Sequence, residues 1–297
     1  MMRIAWLSCY AMLVAGGASA QRFPNHPMIA MNGITYTPQS LAARDLGAPG
    51  DQTAPFPAHK VIGNVYYVGT RSLSSFLIVT TDGSILINSS DEQNGSNIRA
   101  SVEQLGFRFS EIKIVLGSNA HDQHQEGNAL VKSLTGARVI AMAEDVPALR
   151  GLTPGGKEHP IDRIVHDGST VTLGGTTLTA HLTAGHTAGC TTWTMAAEEG
   201  GRTYNVRIGC SLRAPPFITP RVVEEFTHTF QVMRQLACDV PLSDYPAAYQ
   251  MEAKVARRES GGLNSFVDAA GCRSEVDLEE AMFHASTDGA QLHHATR

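Results

Sequence analysis

Asn119-Ala120-His121-Asp122-Gln123-His124 is where side chains able to hold a metal or move a proton crowd most closely in this sequence. Histidines three residues apart can face one centre from a single turn, and a neutral imidazole is a good donor to zinc. His186, in the glycine-bounded segment Gly185-His186-Thr187-Ala188-Gly189-Cys190, supplies another imidazole. His121, His124 and His186 on one ion, with a position open to water, would make a ligand set of catalytic zinc sites. Asp122 and Glu126 lie close enough to serve as carboxylate ligands or as partners that orient the ligands. The competing possibility is a polar loop that happens to carry two histidines. His59, His159, His166, His181 and His228 have no ligand-like neighbours and read as surface or satisfied core residues.

Such a cluster needs elements to position it. The apolar run at 112–116 precedes it and the helical spacing of 128–134 follows it, so the sequence predicts a strand, a loaded loop and a helix. In αβ folds, loops at the carboxyl ends of strands are where sites are built. Upstream, 61–68 reads as one strand, 75–80 and 84–88 as a hairpin around Asp82-Gly83, and 98–105 as a helix. Downstream, a strand at 137–141 and a helix at 144–150 complete an αβ half. A β-rich half follows, with strands from 163, at 170–173 and 177–182 around Gly174-Gly175, and at 191–196 and 204–208. A helix at 222–236, a last strand at 239–242 and helices at 247–258 and 274–285 close the chain. Strands followed by helices, twice over, predict two β-sheets with helices on their outer sides.

With 297 residues and 42% hydrophobic content, the chain can bury a full core. The formal charge is −5 and no run of Lys and Arg could track a phosphate backbone, which argues against a nucleic-acid partner. Residues 1–20 read as a secretory signal: a basic start, an apolar stretch and Ala18-Ser19-Ala20 before Gln21. The stretch is too short to span a bilayer well, so no membrane association is expected once it is removed. Residues 21–58, rich in Pro, Gly and Gln, read as an extended arm, and 59–297 as the folded domain. Loss of the signal removes Cys9 and leaves Cys190, Cys210, Cys238 and Cys272; in an oxidising compartment these form two disulfides, with three pairings open.

Gly63-Asn64-Val65-Tyr66-Tyr67-Val68-Gly69, the hairpin ending Ile85-Leu86-Ile87-Asn88, the loop at 119–124 and Gly185-His186-Thr187-Ala188-Gly189-Cys190-Thr191 occur in an order that resembles the metallo-β-lactamase superfamily. The likeness is greatest to the third subclass of the zinc β-lactamases and runs from about Phe56 to the C-terminus. It implies an αββα sandwich with a metal site on one edge. The family's first loop reads His-x-His-x-Asp-His, so Asn119 and Gln123 here replace a histidine and an aspartate. His121, His124 and His186 are kept, and Tyr245 falls where the last histidine ligand belongs. Asparagine, glutamine and a protonated tyrosine are weak neutral ligands, so the expectation is one zinc ion rather than two, with a metal-free pocket as the other outcome.

The resemblance further implies hydrolysis of a β-lactam amide by zinc-bound hydroxide in a secreted or periplasmic protein, weakened by the replacements. Gln123 takes the catalytic position of an aspartate that orients the nucleophile; it can form a hydrogen bond but cannot act as a base. Ser211 and Arg213 fall where the family holds a substrate carboxylate, which implies an anionic small-molecule substrate. Cys238 with Cys272 matches the family's C-terminal bridge and leaves Cys190 with Cys210, the rival reading being a Cys210 thiolate ligand. The alternatives are a non-catalytic binding descendant and a lactone or ester hydrolase with a rebuilt site.

Overall fold

The computed structural model describes residues 28–294, with side chains to Thr287. Its first elements are a small hairpin, β1 (Ile29–Met31) with β2 (Ile34–Tyr36), and the helix α1 (Pro38–Leu46). The expected extended arm is therefore structured over this part. Thr37 caps α1: its hydroxyl accepts from the Ser40 N–H at 3.1 Å, and the Ser40 hydroxyl accepts in return from the Thr37 N–H at 2.8 Å. Pro38 occupies the first helical position, where a missing N–H costs nothing. The expected signal at 1–20 lies outside the described residues.

The first sheet has seven strands in sequence order: β3 (His59–Ile62), β4 (Val65–Tyr67), β5 (Phe76–Thr80), β6 (Gly83–Ile87), β7 (Ile112–Leu116), β8 (Arg138–Met142) and β9 (Arg163–Val165). Neighbours from β3 to β6 run antiparallel and those from β6 to β9 parallel. Parallel pairs need crossovers: α2 (Gly95–Gln104) joins β6 to β7, α3 (Asp122–Gln125) and α4 (Asn128–Thr135) join β7 to β8, and α5 (Val146–Leu149) lies before β9. The single strand expected at 61–68 is two strands. Gly63 sits at φ +53, in the left-handed region that reverses the chain there, and a Cβ would fall 2.9 Å from the Glu198 carbonyl oxygen.

The second sheet orders β10 (Thr170–Leu173), β11 (Thr176–Leu182), β12 (Thr191–Glu199), β13 (Arg202–Gly209) and β14 (Val240–Ser243). The helix α6 (Pro220–Gln235) carries the chain from β13 to β14, which pair in parallel. After β14 come α7 (Met251–Glu259) and α8 (Gly271–His294). The helix expected at 247–258 starts later, because residues 246–249 form a tight turn and Gln250 adopts a left-handed φ of 56°.

Side-chain alternation along the strands sorts the apolar residues into layers. Ile85, Ile87, Ile114 and Leu116 face Ala180, Trp193, Val206 and Ile208 between the sheets. On the outer face of the first sheet, Leu86, Val115 and Val139 meet Ile98 and Val102 of α2 and Val131 of α4. Phe226, Phe230 and Met233 of α6 pack with Val276 and Phe283 of α8 on the other side. The architecture is the expected αββα sandwich. Cys190 bonds to Cys210 and Cys238 to Cys272, so Cys210 is not a free thiolate. Among the described residues, no helix is long and apolar enough to cross a membrane.

Candidate active site

The loop after β7 is fixed from both sheets before any histidine is reached. The Ser118 N–H donates to Asn88 Oδ1 at 2.9 Å, and the Thr191 N–H donates to the Ser118 carbonyl at 2.7 Å. Trp193 Nε1 donates to the Gly117 carbonyl at 3.0 Å, and Gln125 Nε2 donates to the Asn119 carbonyl at 2.7 Å. His121 then stands at the N-cap of α3, and His124 lies within its single turn.

The His186 loop is positioned by a residue that the sequence reading passed over. Asp145 accepts the Thr187 hydroxyl at 2.9 Å and the Gly189 N–H at 2.7 Å. Burial pushes its carboxyl up to about 6 in spite of those bonds. Gly185 enters the loop at φ +133, against the Phe226 ring, where a Cβ would come within 2.6 Å.

Of the three expected histidines, the structure sets two in ring contact, while His124 packs its ring against Tyr245, centroids 5.4 Å apart. The His121 and His186 rings meet edge to face, with centroids 4.8 Å apart. His186 Nδ1 lies 2.8 Å from the Arg213 carbonyl and must be its N–H donor; Nε2, left with the lone pair, is buried without a partner. His124 is fully buried, and neither of its ring nitrogens has a hydrogen-bond partner. Burial lowers both imidazoles, His186 to about 3 and His124 well below its ordinary value, with neighbouring imidazoles adding to the shift. Both are neutral at pH 7.

The changed positions close on one another. Gln123 Nε2 donates to the Tyr245 hydroxyl at 2.5 Å, and burial raises the Tyr245 phenol so that it stays protonated. Asn119 Nδ2 donates to Asp244 Oδ2 at 2.9 Å, and the Ser211 N–H reaches the same oxygen at 3.0 Å. Asp244 thus ties the β7 loop to the segment after β13. It was not foreseen, although it directly precedes Tyr245. Its Oδ2 is 3.7 Å from His124 Nε2, too far for a hydrogen bond, and burial pushes its carboxyl up to about 7.

Arg213 lies over the Tyr245 ring at 5.3 Å and reaches Asp45 at 3.4 Å; the Ser211 hydroxyl accepts the Arg213 N–H at 3.3 Å. Asp122 accepts the Gln123 N–H at 2.7 Å and Glu126 turns away to accept the Glu92 N–H at 3.2 Å. A cavity of about 610 Å³, bordered by Arg44, Arg71 and Gln250, lies outside this cluster and touches none of its histidines.

These donors suit one zinc ion in kind and in protonation state, since the metal needs neutral imidazole lone pairs and His186 presents one in a fixed tautomer. The Gln123 amide nitrogen and the Tyr245 hydroxyl are engaged with each other. As placed, no group of three or more His, Cys, Asp or Glu among the described residues lies so that it could hold a metal ion.

No family model matches the chain. Solved structures do. The native FEZ-1 metallo-β-lactamase from Legionella gormanii is 37% identical over 80% of this chain and 98% of its own, with a TM-score of 0.77. LRA-12, a class B3 di-zinc metallo-β-lactamase from an Alaskan soil metagenome, is 25% identical over 80% of this chain and 96% of its own, with a TM-score of 0.74. A hydroxyacylglutathione hydrolase of Hyphomonas neptunium is 34% identical over 90 residues, which is 30% of this chain and 30% of that protein.

Proposed function

The chain belongs to the metallo-β-lactamase superfamily, and we propose from that premise that it is a secreted or periplasmic zinc-dependent hydrolase acting on an anionic small molecule with a strained amide or ester carbonyl. One zinc ion would be held by His121, His124 and His186. Bound there, zinc supplies Lewis acidity toward a carbonyl oxygen and toward water. The observation that carries this reading is the buried, unpartnered Nε2 of His186, its tautomer set by the Arg213 carbonyl, beside the orphaned nitrogens of His124.

The other residues bind and orient. Arg213 offers a guanidinium to a substrate carboxylate, and the Ser211 hydroxyl, accepting from the Arg213 N–H, keeps its own proton to donate. Gln123 can orient a water molecule through its amide but cannot take a proton from it, so turnover is slow. Asn119 and Asp244 keep the two site-bearing segments in register.

The test is metal analysis of the purified chain combined with nitrocefin hydrolysis. The expected result is at most one zinc per chain and slow turnover. The combined variant Asn119→His, Gln123→Asp, Tyr245→His should raise zinc content and turnover together, by restoring strong ligands. Two tightly held ions in the unmodified chain would overturn the one-ion site. Failure to take up zinc even in excess would favour a binding protein, the reading that the Gln123–Tyr245 contact supports. Activity on thioesters or lactones with none on nitrocefin would favour the rebuilt ester hydrolase, in line with the partial likeness to the hydroxyacylglutathione hydrolase.

A further inference from the structure

Helix α1 ends with a charge in an unfavourable place. Asp45 stands in the last turn, where the helix dipole already presents negative charge, so local helix energetics do not explain it. Its partners lie elsewhere. Asp45 is 2% exposed; Oδ1 accepts Arg44 Nε at 2.8 Å, and Oδ2 faces Arg213 Nη1 at 3.4 Å. Arg44 in turn is gripped by Glu275 and Glu279 of α8, at 2.9 and 3.1 Å. Leu41 of α1 packs on Leu278 and Met282, so apolar contact and charge both fix the helix to α8.

One carboxylate therefore serves two arginines. The Asp45 oxygen facing Arg213 fixes where that guanidinium lies, over the Tyr245 ring at 5.3 Å, while leaving most of its five donors unclaimed by a carboxylate among the described residues. The Arg213 side chain is 21% exposed, mostly enclosed yet still open to a ligand. Its backbone carbonyl is also the acceptor for His186 Nδ1, so the same residue borders both the anion position and the metal-facing imidazole.

We infer that Asp45 is a positioning residue for substrate recognition: from the N-terminal helix it aims Arg213 at the carboxylate of an anionic substrate beside the histidine cluster. This rests on the reading of Arg213 as the carboxylate contact. It makes α1 part of the substrate site.

The experiment compares benzylpenicillin, which carries a carboxylate, with its neutral methyl ester, on the full chain loaded with zinc. For Asp45→Asn the expected result is a KM for benzylpenicillin raised about five-fold or more with kcat changed less than two-fold, and no KM change for the ester. Asp45→Glu, which keeps the charge, should recover at least half of the loss, and it carries the test if Asp45→Asn fails to fold. Equal losses on acid and ester would reduce Asp45 to a structural role and overturn the inference while leaving the proposed function standing. An Arg213→Ala variant that binds acid and ester as the unmodified chain does would remove Arg213 as the contact, and Asp45 with it. Absence of both binding and turnover of benzylpenicillin in the unmodified chain would instead remove this substrate class, and the inference falls too.

Discussion

Two buried polar regions of this molecule lie side by side and are built in opposite ways. Between α1 and α8, Arg44 meets Asp45, Glu275 and Glu279, and its carboxylate partners are engaged. A few residues away, His124 and His186 are buried with three ring nitrogens between them that bond to nothing. Burying polar atoms without partners costs stability, whereas a satisfied ion network holds segments in place. The first region reads as a structural joint and the second as a place reserved for something that accepts lone pairs.

The largest expected effect lies in the joint. Arg44→Ala leaves Glu279 buried without its cation and Asp45 with only the longer contact to Arg213, and should cost about 3–5 kcal/mol, measured by urea unfolding. A loss under about 1 kcal/mol would mean that water reaches those carboxylates and the contrast is false.

Asp145 is an intermediate case, a buried carboxylate bonded to neutral donors. Its folded value of about 6 exceeds the ordinary aspartate value, so the folded chain holds a proton that the unfolded chain has lost. The stabilisation is present below the unfolded value near 4 and fades as pH rises through about 6. Asp145 should contribute up to roughly 3 kcal/mol to the fall in stability of the metal-free chain over that window, beside the contribution of Asp244 raised to about 7, and Asp145→Asn should make the slope shallower by that share. A variant that keeps the full slope would assign all of it to other groups, Asp244 first.

The smallest expected effect sharpens the comparison most. In the metal-free chain, His124→Leu removes two orphaned nitrogens and should change stability by no more than about 1 kcal/mol in either direction. The same variant should lose the rise in melting temperature that zinc gives the unmodified chain. A loss of several kcal/mol without metal would show that His124 has a structural partner after all.

The layering and the histidines were legible because each rests on local pattern. The run at 112–116 forms β7 with the expected bounds, and the glycine-bounded loop delivers His186 beside His121. What escaped depends on contacts distant in sequence. Asp145 reaches Gly189 across 44 positions, and Asp45 reaches Arg213 across 168; neither carboxylate has a spacing that marks it. The resemblance identified Asn119, Gln123 and Tyr245 as weak ligands but could not show that they would bond to Asp244 and to each other. Helix α1 was missed for a local reason, because Thr37-Pro38-Gln39-Ser40 is a start signal set among turn-forming residues.

The Cys190–Cys210 bond joins the loop that carries His186 to the segment that carries Ser211 and Arg213. Twenty positions separate those cysteines along the chain, so with the bond open the covalent route between the two segments runs through all of β12 and β13. The bond therefore replaces that long route with one crosslink at the open end of the two strands, so the His186 loop and the Ser211–Arg213 segment cannot move apart without bending β12 against β13.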